Sequence, residues 1–218
     1  MRNKQGWLPI TIGLLLVTAA LCLSAYNLYD SFRASQSVEN LLGRLDTGIF
    51  SGESGAEPPS SPAESGEIEI PDYVLNPEME MPVQTIDGQD YIGVLSIPAY
   101  DLELPVISQW SYPSLKIAPC RYSGSAYTND LVIAAHNYPS HFAVLSKLEE
   151  GDSLYFTDMD GNVFLYEVAL REILSPADVE EMTGSDWDLS LFTCNASGQN
   201  RITVRCVHIR KPDVEADG

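Results

Sequence analysis

Basic residues are scarce in this chain: 12 lysines and arginines stand against 31 aspartates and glutamates, a formal charge of −19. No Lys or Arg occurs between Arg44 and Lys116. Such a balance excludes nucleic-acid binding, which needs a cationic footprint, and opposes adsorption to anionic lipid headgroups. Histidine is also rare, with three in all. His136 and His141 lie five apart without a third ligand nearby in sequence, so no zinc site is expected. Calcium-loop spacing is missing as well. Asp158-Met159-Asp160-Gly161-Asn162 comes nearest and reads as a hairpin turn. Neither a metal nor any other cofactor is expected.

The four cysteines do not form a disulfide framework. Cys22 falls in an apolar run, Cys120 ends the loop Ile117-Ala118-Pro119-Cys120, and Cys206 alternates with Ile202 and Val204 on the buried side of a strand. None of the four is expected to be bridged.

Long hydrophobic runs are limited to one. Leu8 to Tyr26 carries no charge and is long enough to cross a hydrocarbon core of ~30 Å at ~1.5 Å per residue. Leu21-Cys22-Leu23-Ser24-Ala25 makes a poor cleavage site, which favours an uncleaved anchor. Arg2 and Lys4 precede the run and put the N-terminus inside and the rest of the chain outside. The expected organisation is a cytoplasmic tail (1–7), a transmembrane helix (8–26), a juxtamembrane helix (27–45), an acidic Ser/Pro/Gly linker (46–83), a catalytic domain (84–212) and a tail (213–218). As a flexible coil the linker would span ~35 Å and hold the domain off the bilayer. Ile68, Ile70, Tyr73, Val74 and Leu75 could instead pack on the domain as an arm.

The domain itself is rich in short alternating runs: Tyr91–Ile97, Leu104–Ser108, Leu131–His136, Ser153–Asp158, Val163–Leu174, Asp188–Cys194 and Arg201–Arg210. That spacing predicts a mostly antiparallel β-barrel or sandwich. Helices are predicted at Phe142–Leu148 and Pro176–Met182, the latter with Ser175 as N-cap.

Cys194 closes the run Leu189-Ser190-Leu191-Phe192-Thr193-Cys194 where a strand gives way to turn residues, so its thiol can meet substrate. A thiol needs a neighbouring base or cation to become a good nucleophile. His136, at the end of the apolar run from Leu131, is the candidate base. Arg201 opens the next strand, and being nearer the turn it is preferred to Arg205, which shares its face; Arg205 is expected to be a surface or rim charge.

The strand-terminal His136, the run Ser190-Leu191-Phe192-Thr193-Cys194 and Arg201 together resemble the sortase family of cysteine transpeptidases, over roughly residues 90 to 210. Ser190 replaces the first Thr of the family's Thr-Leu-x-Thr-Cys, and Ala135 stands where many members carry Gly. The resemblance implies a closed β-barrel of about eight strands with short helices, and catalysis by His136, Cys194 and Arg201. It implies cleavage of a C-terminal sorting signal on surface proteins through a thioacyl-enzyme, resolved by an amine of a peptidoglycan precursor or a pilin. The enzyme would sit at the plasma membrane of a Gram-positive type cell as a single-pass protein facing outward.

The segment Leu174–Trp187 corresponds to the family's substrate-recognition loop, with Pro176, Val179, Met182 and Trp187 as possible groove walls. Asn137 and Thr193 are further substrate-binding candidates, Asn137 with loop capping and Thr193 with packing inside the sheet as equal alternatives. The subclass points to housekeeping-like or class B-like enzymes. The competing function is a non-catalytic outer β-domain that binds wall or partner proteins through the same groove.

Overall fold

A computed structural model describes residues 7–45, 70–184 and 186–209. The tails at 1–6 and 210–218, residues 46–69 of the linker, and Ser185 lie outside the described residues.

The chain begins with a long helix, α1 (Trp7–Leu42), and a single helical turn, α2 (Asp72–Leu75). Nine strands follow: β1 (Gln84–Ile86), β2 (Gln89–Ile97), β3 (Leu102–Ile107), β4 (Cys120–Ser123), β5 (Leu131–Ala134), β6 (Ser153–Asp158), β7 (Val163–Leu174), β8 (Leu189–Cys194) and β9 (Arg201–His208). Helical connections are short: α3 (Tyr112–Leu115), a 3-10 helix at Phe142–Ser146, and α4 (Val179–Thr183). The expected helix at Pro176–Met182 starts later, because Ser175 and Asp178 form a reciprocal turn first. The Ser175 hydroxyl accepts from Ala177 N at 3.2 Å and the Asp178 carboxylate from Ser175 N at 3.0 Å.

The strands pair in the order β2-β3-β4-β5-β8-β9-β7-β6, and β6 pairs back onto β2, closing an eight-strand barrel. Closure removes the free sheet edges that invite aggregation. β1 adds a hairpin arm outside the ring. Its two-residue turn, Asp87-Gly88, has positive φ at both positions (50° and 76°), the conformation that matches the twist of a tight hairpin. The sheet is mostly antiparallel, as the strand spacing predicted, with β3–β4 and β5–β8 running parallel.

β4 and β1 were not among the expected strands. Both are short, and β4 follows Pro119 with no clear alternation. The Asp158 segment is a hairpin turn, as its composition suggests: the Asp158 carboxylate accepts from Asp160 N and Asn162 N, both at 2.9 Å, and from Tyr127 OH at 2.7 Å.

The barrel interior is filled by Leu95, Leu104, Leu131, Ile133, Phe156, Phe164, Tyr166, Leu191 and Val204. Two segments ahead of the barrel dock onto it. Ala34, Val38, Leu41 and Leu45 are buried and lie on one face of α1 and the turn that follows it, and Arg44 pairs with Asp87 on the surface. Further on, Tyr73 stacks on Tyr127 with centroids 4.6 Å apart, and Met81 is buried. Ile70, Val74 and Leu75 stay exposed, and Ile68 lies outside the described residues.

The span expected over 8–26 is not found as such. Among the described residues no helix is long and apolar enough to cross a membrane. The described side chains of that run begin at Ile10 and are exposed through Tyr26.

Barrel closure depends on one glycine. A Cβ at Gly93 would sit 2.3 Å from the Thr157 carbonyl oxygen and 2.6 Å from the Phe156 ring, at the seam where β2 meets β6. Gly93→Ala is therefore expected to destabilise the barrel by at least about 3 kcal/mol, the upper range for overpacking, measured by urea denaturation. Gly88→Ala, where nothing lies within 4 Å, should cost only about 1 kcal/mol through its positive φ.

Candidate active site

The pairing of three strands brings the reactive residues together. β5 and β8 are parallel neighbours in the register Ala134 with Phe192, so both point their C-terminal ends at one mouth of the barrel. His136 lies two residues past that register on one side and Cys194 two residues past it on the other. β9 returns antiparallel and begins opposite, with Cys194 facing Arg201. Thr193 fastens the arrangement: its buried hydroxyl donates to the Ala135 carbonyl at 2.8 Å, and Ala135 N donates to the Phe192 carbonyl at 3.2 Å. The residue before the imidazole is thus tied to the residues before the thiol.

His136, Cys194 and Arg201 line one cleft of about 230 Å³. Its floor is Ala134, Ala135, Phe192 and Thr193. One wall is Pro176, Val179 and Met182 from the β7–β8 connection; the other is Trp110, Tyr112, Leu115 and Tyr122 from the β3–β4 connection and β4. Among the described residues no carboxylate lines it, in a chain dominated by acid. Cys194, His136 and Arg201 are each half-buried, and Arg201 is steered by the Gly198 and Asn200 carbonyls, both at 3.3 Å. A wider cleft of about 520 Å³ between α1 and the β1–β2 arm contains neither thiol nor imidazole.

All four cysteines are free. Burial pushes the Cys120 thiol up to about 12 and raises that of Cys206 as well, so neither is a nucleophile at neutral pH. On the barrel, only Cys194 combines exposure with a cationic neighbour.

The aromatic wall was not anticipated. Trp110 packs against Tyr112 (5.1 Å between centroids) and edge-on to Tyr122 (5.7 Å), and Tyr122 meets Phe192 at 5.2 Å. The dense Trp110-Ser111-Tyr112 run was the available signal. Two expected substrate contacts are not brought in. Trp187 opens instead onto a separate cavity of about 400 Å³ with Glu172, Glu180, Glu181 and Asp186, and Asn137 is half-buried outside the cleft lining.

Arg205 is no rim charge. It is 2% exposed and bonded on every side: to Glu172 Oε1 at 2.8 Å, to Ser190 Oγ at 2.8 Å, to the Met182 carbonyl at 3.2 Å and to the Glu181 carbonyl at 2.5 Å. It shares a strand face with Arg201, but α4 and Glu172 cover that end of the face.

Behind the cleft, His136 packs at a tilt against Tyr138 (4.9 Å between centroids) and Tyr138 likewise against His141 (5.5 Å). His141 is fully buried, and among the described residues neither ring nitrogen meets a partner in good hydrogen-bond geometry. Burial chiefly, and then the like charge of His136, lowers it to about 4, with a weak backbone interaction at Ile117 opposing.

Comparison with known proteins gives the family. A family model described as the sortase domain matches residues 95–209. Among solved structures, the chain is similar to sortase C of Streptococcus pneumoniae (27% identity, 56% of this chain and 70% of that one, TM-score 0.49). It is similar also to a lid mutant of sortase A from Corynebacterium diphtheriae (23%, 65% and 78%, 0.49) and to sortase C1 of Streptococcus suis (26%, 57% and 76%, 0.47). No curated protein matches the sequence. On the extent of the domain match, the chain belongs to the sortase family of cysteine transpeptidases.

His141 generates an acid sensitivity. Its folded pKa lies below the unfolded value of 6.5, so the unfolded chain binds the extra proton as pH falls from about 6.5 to about 4. Stability contributed by the neutral ring is complete above that window and is lost within it, by roughly 3 kcal/mol. His141→Leu should flatten the pH dependence of unfolding free energy between pH 6.5 and 4, read by urea titrations at several pH values.

Proposed function

We propose that Cys194 is the nucleophile of an acyl transfer that cuts a C-terminal sorting signal on surface proteins and joins the acyl part to an amine of a peptidoglycan precursor or pilin. The thiolate attacks the scissile carbonyl, and a C–S bond forms as the C–N bond breaks. His136 gives its proton to the departing amine. The incoming amine attacks the thioacyl carbon, His136 takes its proton, and the sulfur leaves as the free thiolate. Arg201 offers fixed guanidinium donors to the oxyanion of both tetrahedral intermediates. The observation that carries this reading is that thiol, imidazole and guanidinium line one carboxylate-free cleft.

The reading includes attachment to the plasma membrane through residues 8–26, with the barrel on the outer face. Support comes from the uncharged run itself, preceded by Arg2 and Lys4, and from the exposed apolar side chains of α1, such as Leu14, Leu15, Leu16 and Leu23. Full-length protein should stay with membranes through alkaline carbonate washing, and a chain lacking residues 1–26 should be released. Recovery of the full-length chain in the wash would rule the anchor out.

Incubation with a library of sorting-signal pentapeptides should leave a mass increase on the protein equal to the acyl fragment, mapped to Cys194 and absent in Cys194→Ala. Arg201→Met should lower kcat about 10²–10³-fold, the effect of removing an oxyanion donor, and Arg201→Lys should recover part of it. A wild-type chain that forms no adduct, with Cys194 inert to peptide vinyl sulfones, would leave a binding domain instead.

A further inference from the structure

On one face of the β8–β9 ladder, Cys194 faces Arg201 at the open end, Phe192 faces Thr203 next, and Ser190 faces Arg205 after that. The connection between β7 and β8 lies over that last pair. Its helix, α4, has five residues, far too few to be stable alone. The terminal carbonyls of such a helix need partners, and the C-cap, Gly184, has no side chain to offer.

Arg205 supplies those partners. Its Nη2 donates to the Glu181 carbonyl, its Nη1 to both the Met182 carbonyl and the Ser190 hydroxyl, and its Nε to Glu172. The helix so fixed presents Val179 and Met182 to the cleft beside Cys194. Only a planar group with several donors can serve two carbonyls, a hydroxyl and a carboxylate together. The Ser that departs from the family's first Thr is therefore part of this anchor.

We propose that Arg205 is a positioning residue: by pinning the C-terminal end of α4 it sets the Val179–Met182 wall and thereby the affinity of the groove for the acyl-donor peptide. The proposal rests on the acyl-transfer reading of Cys194. It acts on the wall, four residues from Arg201 along β9, and leaves the thiol and its neighbours in place.

The test uses full-length Arg205→Gln and Arg205→Lys, with the best acyl donor from the pentapeptide library. Arg205→Gln is expected to raise KM about tenfold or more, with kcat within about threefold, the pattern of lost ground-state binding. Iodoacetamide should alkylate Cys194 at a near wild-type rate, and amide hydrogen exchange at 179–184 should quicken. Arg205→Lys should fall between. Unchanged KM, or KM and alkylation failing together, overturns the proposal.

If Arg205→Gln does not fold by circular dichroism, Ser190→Ala takes its place. It removes one bond of the anchor, and a smaller KM rise with unaltered alkylation supports the proposal, whereas no change overturns it. A wild-type chain without any acyl-enzyme would sink the transpeptidase reading. Exchange at 179–184 would then still decide Arg205's hold on the wall, with no quickening counting against it.

Discussion

The parallel pairing of β5 with β8 is the constraint on which the site depends. Two parallel neighbours end at the same edge of a sheet, and a hairpin from the second begins its return strand there too. The ends of two strands and the start of a third therefore meet at one rim, whatever the loops beyond them do. Parallel neighbours cannot be joined by a tight turn, and here the β6–β7 hairpin fills the interval, later closing the ring against β2. Closure is what makes the placement rigid: no edge strand near the site is free to slide in register. Register fixes the rest, since a slip of one residue would turn Cys194 and Arg201 to the opposite face.

Electrostatics add a second layer. The chain carries a large excess of acid, yet the cleft holds a guanidinium and no carboxylate. A carboxylate beside Cys194 would oppose the thiolate and repel the developing oxyanion. The two arginines on β9 show how burial divides roles on a single face. Arg201 has carbonyl partners and solvent on its open side, so its remaining donors can face a substrate. Arg205 spends its donors within the fold and is screened by α4.

Much of the barrel was legible because half-buried strands alternate and turns announce themselves. β6 and β7 fall at their expected limits for the first reason. β5 and β8 were legible for a different one: their residues are buried on both faces, up to Cys194 in β8, and a continuous apolar run ending in turn residues signals such a strand. β4 gave no comparable sign. The convergence of His136, Cys194 and Arg201 on one cleft could be inferred only because each sits at a strand end; which strands were neighbours came from the family resemblance, not from spacing. Trp187 lies outside the lining of the Cys194 cleft because nearness in sequence to the recognition loop does not say which side of the loop a ring occupies. The burial of Arg205 was hidden for a related reason, since its partners come from β7, β8 and α4, and no local pattern in β9 reports them.

The linker takes on a different meaning once α1 is seen to dock. A free acidic coil would hold the barrel at a distance set by polymer statistics, but the chain is already fastened to the barrel at Val38, Leu41 and Leu45 before residue 46, and again at Tyr73 and Met81. Segment 46–69 therefore joins two points on the same body. Between Tyr26 and Ala34, the first buried position of α1, a helix rises only ~12 Å at ~1.5 Å per residue. With the proposed anchor in a bilayer, that short stem places the barrel little more than one Debye length from the headgroups. At that range the negative surface of the domain and an anionic leaflet still repel each other.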